Sequence, residues 1–123
     1  MKGIGIDLCG IERIARAMEG NERFLMKYYT EEERGWISRK GKAGDQSAAA
    51  MFAAKEAFLK ACGIGIGGGV EMSEIEVLHD DFGAPRYQLH GKAKEKMDSM
   101  GASVALLTLT HEAGVAAAVC VLE

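Results

Sequence analysis

The sequence predicts an α+β fold in which a small, mostly antiparallel sheet packs on one long central helix. Three observations carry this. Period-two runs suited to strands occur near the N-terminus, on either side of the turn "FGAP", and twice at the C-terminus. The stretch "MFAAKEAFLKA" (51–61) is helical from end to end and has no broad polar face. The resulting order is strand, helices, two strands, helix, two strands, over a chain of 123 residues and 48% hydrophobic content that forms a single domain with its own core.

Taken in order, "KGIGIDL" (2–8) is a strand with Ile4 and Ile6 on one face and Gly3, Gly5 and Asp7 on the other. The glycine face invites close approach by another element. "IERIARAMEG" follows as a short amphipathic helix, with Ile11, Ile14, Ala15 and Met18 spaced for packing and Gly20 at its end. "TEEERGWISRK" opens with the capping box Thr30 to Glu33, which sets a helix start near Thr30. "GKAGD" is a loop, and Asp45 is the expected cap of the long helix that runs to about Cys62. Gly63 ends that helix and begins "GIGIGGGV", which reads either as a C-cap with a mobile connection or as a phosphate loop. Its glycines follow a helix instead of opening one, and the Walker pattern is absent. "SEIEVLHDD" and "RYQLHG" form a hairpin, with Pro85 limiting pairing where the second strand starts. "KAKEKMDSMG" is a polar surface helix. "ASVALLTLTHE" and "VAAAVCVLE" are two strands joined by Ala113-Gly114, and the last is apolar on both faces, so both of its sides must be covered, in part by another subunit.

Charge and cysteine usage narrow the function. A net charge of -3 argues against general nucleic-acid binding, because phosphate binding draws on clustered positive charge, so an anion must meet a local site. Cys9, Cys62 and Cys120 form no CxxC and leave an odd count, which suits reduced packing thiols in a cytosol. The longest apolar run, Val115 to Leu122, is too short to span a bilayer. The expectation is a soluble, cytoplasmic protein.

No Ser-His-Asp order, HExxH, zinc cysteine set or GxGxxG signature is present. Asp7 falls at the expected end of the first strand and Glu56 on the long helix. If helix and strand cross, the two carboxylates converge in the way a hard divalent cation such as Mg²⁺ accepts, with phosphate and water oxygens completing its shell. Lys60, one turn beyond Glu56, would then neutralise phosphate charge. The competing reading of Glu56 and Lys60 is an ordinary i,i+4 pair on a solvated edge. Lys55 is either paired or reaches to solvent along its stem. His111 ends a strand on the Leu107 and Leu109 face, where a lone histidine is commonly structural.

The segments "GIGIDLCGIERI", "FAAKEAFLKACGIGIG" and "TLTHEAGVAAAVCVLE" resemble, in order and spacing, the holo-[acyl-carrier-protein] synthase family of small 4'-phosphopantetheinyl transferases. The resemblance spans essentially the whole chain. It implies a 4'-phosphopantetheinyl transferase-like fold and transfer of the 4'-phosphopantetheine group from coenzyme A to a serine of an apo acyl carrier protein, leaving adenosine 3',5'-bisphosphate. It implies that Asp7 and Glu56 hold Mg²⁺ against the coenzyme A pyrophosphate and that Lys60 contacts phosphate in the catalytic region. His111 and Thr110 in "TLTH", Pro85 in the G-x-P turn, and Gly63 and Gly65 after the helix are implied to line the coenzyme A site. Relatives of this kind are homotrimers with sites at subunit interfaces.

The chain departs from that pattern at Met51 and Ala84, where cations are common in the family, at Thr108, where serine is common, and along Gly67 to Gly69, where a basic residue is common. The acidic carrier protein calls for a basic counterpart, for which Arg13, Arg16, Arg23 and Lys27 are the candidates, an ordinary solvated face being the alternative. The serine proton would pass to Glu56 or to a metal-polarised water, and the sequence does not choose. Two other functions compete: a trimeric binding module without turnover, and a Mg²⁺-dependent phosphoesterase acting on free nucleotides. Retention of Asp7, Glu56, Lys60 and His111 together favours the transferase.

Overall fold

The computed structural model describes all 123 residues, Met1–Glu123. Ten elements follow one another: β1 (Gly3–Gly10), α1 (Ile11–Met18), α2 (Glu22–Tyr28), α3 (Glu31–Arg39), α4 (Gly44–Ala61), β2 (Ile75–His79), β3 (Pro85–Leu89), α5 (Gly91–Ser99), β4 (Ala105–Glu112) and β5 (Val115–Leu122), with short 3-10 turns at Gly41–Ala43 and Met72–Glu74. The strands form an antiparallel three-stranded sheet in the order β1-β5-β4 and a separate antiparallel hairpin, β2-β3. The α+β architecture is as predicted, with the sheet divided in two.

β5 is apolar on both faces because it is the central strand of its sheet. Ala116, Ala118, Cys120 and Leu122 face α4 and are fully buried, while Val115, Ala117, Val119 and Val121 lie on the opposite face and are half-buried. The same opposite face carries Ile4, Ile6 and Leu8 of β1 and Leu106 of β4, all of them exposed.

α4 lies directly on β1 and β5 because β1 offers glycines there. A Cβ at Gly5 would collide with the Ala57 carbonyl oxygen, and one at Gly3 with that of Ala61. Alanines at 53, 54, 57 and 61 keep the helix surface low enough for that approach. Helix and sheet together bury a continuous cluster that includes Phe58, Met51, Leu59 and Leu122.

Three local expectations change. Asp45 does not cap α4: the cap position falls two residues earlier, at Ala43, the helix starts at Gly44 out of a 3-10 turn, and Asp45 sits in its first turn as a dipole-compatible acid. β1 continues to Gly10, so Asp7 is an interior strand residue opposite Ala118. α2 is an additional helix, capped by the Asn21 side chain, which accepts from the Phe24 N–H at 3.1 Å. Its lack of any buried residue leaves only a faint packing signature in the sequence.

The predicted capping box is present and does more than cap. Thr30 and Glu33 exchange their hydrogen bonds, and Glu33, fully buried, also accepts from Lys55 Nζ at 2.8 Å and from the Val77 N–H at 2.8 Å. Lys55 is likewise fully buried and donates to the carbonyls of Met72 and Ile75 at 2.9 and 2.8 Å. It is thus paired inside the protein and does not reach solvent. All three ammonium donors are used, which lets a buried charge tie α3, α4 and β2 together.

Candidate active site

β1 and α4 bring Asp7, Glu56 and Lys60 together. Asp7 is buried on the helix-facing side of β1, and Lys60 Nζ, on a half-exposed side chain, lies 3.0 Å from its Oδ1. The Glu56 carboxyl is pushed up to about 7, first by burial and then by the neighbouring Asp7 carboxylate, against the pull of Lys60 and Arg13. Two carboxylates so close cannot both ionise cheaply without a cation between them. The other oxygen of Asp7, Oδ2, is buried and has no hydrogen-bond partner. A buried, orphaned carboxylate oxygen beside a second carboxylate fits a divalent metal. No set of three or more His, Cys, Asp or Glu side chains converges anywhere in the chain. Two oxygen donors with the remaining positions left to water and phosphate suit Mg²⁺ and exclude an all-protein zinc site.

A second group assembles at the other end of α4. Pro85, Thr110 and His111 line one cavity of about 280 Å³, together with Trp36, Lys40, Gln46 and His79. His111 is exposed, and its Nε2 lies 3.0 Å from Gln46 Nε2. Leu109, two residues before His111, pairs with Ala118, which pairs with Asp7. Two strand spacings across and two residues along place Asp7 and His111 roughly 12 Å apart.

Gly63 follows α4 at its Lys60 end, and Gly65 lies two residues further along the connection. Gly63 has φ 73 and its N–H bonds the Lys60 carbonyl at 3.0 Å, while the Ile64 N–H reaches Leu59 at 2.9 Å. It is therefore the left-handed C-cap of α4. At 1.5 Å per residue it lies about 25 Å along the helix from Gln46, so the structure does not bring it into the His111 cavity.

The departures at 51 and 84 have clear environments. Met51 is fully buried in the hydrophobic core. Ala84 sits in the hairpin turn, where Asp80 Oδ1 accepts from its N–H at 2.9 Å and from that of Phe82 at 2.8 Å. Thr108 lies on the open face of the sheet. Of the basic candidates, Arg16 is exposed and paired with Glu12, and Arg23 and Lys27 flank an open depression on α2 with Glu22 and Met26. The three cysteines are free and buried, and burial pushes Cys62 up to about 11 and Cys120 to about 12, so neither thiol ionises near neutral pH.

Near His111 an aromatic stack joins two residues that sequence spacing leaves apart. Trp36 stacks on His79 with ring centroids 4.0 Å apart and planes 4° from parallel, and Lys40 Nζ stands 4.3 Å from the Trp36 centroid. The i,i+4 spacing of Trp36 on α3 and Lys40 at its C-cap is a signal the sequence does hold. The partner from β2 is not, because only the tertiary fold sets His79 against Trp36. Burial and the neighbouring Lys40 charge hold His79 below its usual pKa.

Residues 3–120 match the model of the 4'-phosphopantetheinyl transferase superfamily. The chain is 39% identical over 122 residues to a holo-[acyl-carrier-protein] synthase of Geobacter sulfurreducens, covering 98% of this chain and 96% of that one. Its fold is similar to the crystal structure of the Neisseria meningitidis holo-[acyl-carrier-protein] synthase, with a TM-score of 0.88, 32% identity, and coverage of 100% of this chain and 98% of that one. The Helicobacter pylori synthase, solved in complex with coenzyme A, gives a TM-score of 0.83 at 32% identity over 98% and 99% of the two chains. A continuous match in sequence and in fold, with Asp7, Glu56 and Lys60 converging on one another, means that the chain belongs to the holo-[acyl-carrier-protein] synthase family of phosphopantetheinyl transferases.

Proposed function

We propose that this chain carries out Mg²⁺-dependent transfer of the 4'-phosphopantetheine group from coenzyme A to a serine of apo acyl carrier protein, releasing adenosine 3',5'-bisphosphate. The observation that carries the metal dependence is the buried, unpartnered Oδ2 of Asp7 next to the Glu56 carboxyl. Asp7 and Glu56 would hold the Mg²⁺, which when bound supplies charge neutralisation on the pyrophosphate. Lys60, half-exposed and one turn from Glu56, can leave Asp7 and turn its ammonium to the phosphate as negative charge shifts toward the leaving group. The bond formed is between the acceptor serine oxygen and phosphorus, and the bond broken is the pyrophosphate bridge. The serine proton passes to Glu56 or to water beside it.

Pro85, Thr110 and His111 would take the nucleotide end of coenzyme A. The carrier protein would dock against Arg13, Arg16, Arg23 and Lys27 on α1 and α2, of which α1 follows directly on β1, the strand that carries Asp7. The enzyme acts as a homotrimer, whose support is the uncovered apolar face of the three-stranded sheet. Sites at the subunit interfaces would set the His111 end of one copy against the Asp7 end of its neighbour. No helix is long and apolar enough to cross a membrane. The cytoplasm is the proposed compartment, where the reaction would supply the carrier protein of fatty acid biosynthesis.

The test is intact-protein mass spectrometry of a bacterial apo acyl carrier protein incubated with this protein, coenzyme A and Mg²⁺. The expected result is a gain of one phosphopantetheine group, lost with chelator and lost in Asp7→Ala while circular dichroism shows an intact fold. Coenzyme A binding without transfer to any carrier protein would instead identify a binding module, and hydrolysis of coenzyme A without acceptor would identify a phosphoesterase.

A further inference from the structure

Glu56 and Lys60 ride on α4, whereas Asp7 belongs to β1, so their meeting depends on how α4 is turned on the sheet. The contact that joins the two elements specifies that turn weakly. It sets Gly3 and Gly5 of β1 against Ala57 and Ala61 of α4, and such small groups allow close approach but offer few projections to interlock. The apolar burial around it is non-directional. Hydrogen bonds are directional, and three side chains of α4 make them to other elements: Gln46 near the start, Lys60 near the end, and Lys55 between them. Of these only Lys55 is fully buried. Its ammonium donates to Glu33 Oε1 of α3 at 2.8 Å and to the carbonyls of Met72 and Ile75 at 2.9 and 2.8 Å. Glu33 is held in turn by the N–H groups of Thr30 and Val77, each at 2.8 Å, so it cannot follow the lysine if the helix turns. The lever is long. On a helix whose side chains reach about 5–6 Å from the axis, a turn of about 20° carries a carboxyl about 2 Å.

We propose that Lys55, anchored by Glu33, is a positioning residue for the reaction: it fixes the rotation of α4 on β1 and thereby sets the Glu56 carboxyl against that of Asp7. This rests on the metal-assisted transfer proposed above. All three N–H donors of Lys55 are engaged with α3 and the start of β2, so it acts through the helix and not as a ligand to metal or phosphate. A buried ion pair of this kind is weak evidence for stability, since apolar residues of similar volume often replace one at no cost, and its best-attested use is to fix registry. Glu56 is the next residue along the chain, so the registry that Lys55 fixes passes directly to the metal-binding carboxyl.

Lys55→Met removes the donors while keeping a long unbranched side chain, and Glu33→Gln weakens the acceptor while keeping a capping-box residue. Met97→Ala, a truncation of a buried residue on α5, is the control for lost stability alone. All are compared with wild type well below the midpoint of unfolding, where circular dichroism shows them folded. Mg²⁺ binding to the protein alone is read by titration calorimetry, transfer by kcat and KM, and the seating of α4 by the nuclear Overhauser contact between Gly5 and the Ala61 N–H. Lys55→Met should weaken Mg²⁺ binding about tenfold, lower kcat about 10²-fold, leave KM for the carrier protein as it was, and shift or lose the Gly5–Ala61 contact. Glu33→Gln should move in the same direction, and the double variant should lose little more than Lys55→Met, because the two residues act as one unit. Met97→Ala should lower Tm and change none of the other readings. Wild-type Mg²⁺ affinity with an unmoved Gly5–Ala61 contact in Lys55→Met overturns the assignment, as does an equal loss of Mg²⁺ affinity in Met97→Ala. If Lys55→Met does not fold, Glu33→Gln decides by the same measurements. A wild-type protein that binds no Mg²⁺ or transfers nothing defeats the proposed reaction, and the Gly5–Ala61 contact then decides whether Lys55 sets the rotation of α4.

Discussion

Asp7 and Glu56 show how one pair of side chains is held short of satisfaction. Each is placed by regular structure, one by a strand and one by a helix, and the cost of their proximity appears as the raised Glu56 carboxyl and the orphaned Asp7 oxygen. Glu76 is the opposite case. Burial alone would raise its carboxyl, but hydrogen bonds from Thr30 and from His90, at 2.9 Å, outweigh burial and hold it below its ordinary 4.5. A carboxyl depressed on folding stabilises the protein above its unfolded value, and that contribution is lost as pH falls through the folded one. Glu76→Gln should therefore lower Tm near neutral pH, and the gap from wild type should close as the solution is taken down to about pH 3. Thermal unfolding followed by circular dichroism across that range checks it, and a gap that is constant with pH would show that Glu76 acts through packing alone.

The contact between β1 and α4 decides whether the Asp7–Glu56–Lys60 group exists. It depends on a missing Cβ at Gly5, where the Ala57 carbonyl occupies the space a side chain would need. Because the obstacle is helix backbone, it cannot move aside as a flexible side chain would. Gly5→Ala should destabilise the protein by about 1–3 kcal/mol and lift the strand from the helix. Urea unfolding gives the first quantity. Mg²⁺ affinity, read by titration calorimetry, should fall with it, although residue 5 bears no donor atom. Retained stability would mean that helix and strand adjust at little cost.

The whole molecule leaves one surface unfinished. Ile4, Ile6, Leu8 and Leu106 stand 58%, 59%, 64% and 48% exposed on a single sheet face, beside the half-buried Val119 and Val121 of β5. An apolar face of that extent on an isolated chain calls for cover. Ile6→Glu should convert the proposed homotrimer to monomer in light-scattering chromatography and lower transfer by about 10²-fold or more if each site needs two copies. The helix-facing core is untouched by that change, so the far-ultraviolet spectrum should be preserved. A wild-type monomer with full activity would overturn the trimer.

Local rules acting within a few residues made much of this legible before any coordinates. The capping box at Thr30 and Glu33, the C-cap at Gly63, the Ala113-Gly114 hairpin and the glycine face of β1 all follow from backbone chemistry, and all are present. The residues Asp7, Glu56 and Lys60 could be named from the sequence because a carboxylate among strand glycines and charges on an apolar helix stand out against their surroundings. Tertiary structure decided what sequence spacing does not encode. The start of α4, the length of β1 and the split of the sheet depend on neighbours far along the chain. So does the burial of Lys55, whose partners Glu33, Met72 and Ile75 come from three different segments. The Trp36–His79 stack beneath Lys40 joins residues 43 apart in sequence, by the difference of their numbers. Local chemistry determines which groups the chain can offer, and long-range packing determines which of them meet.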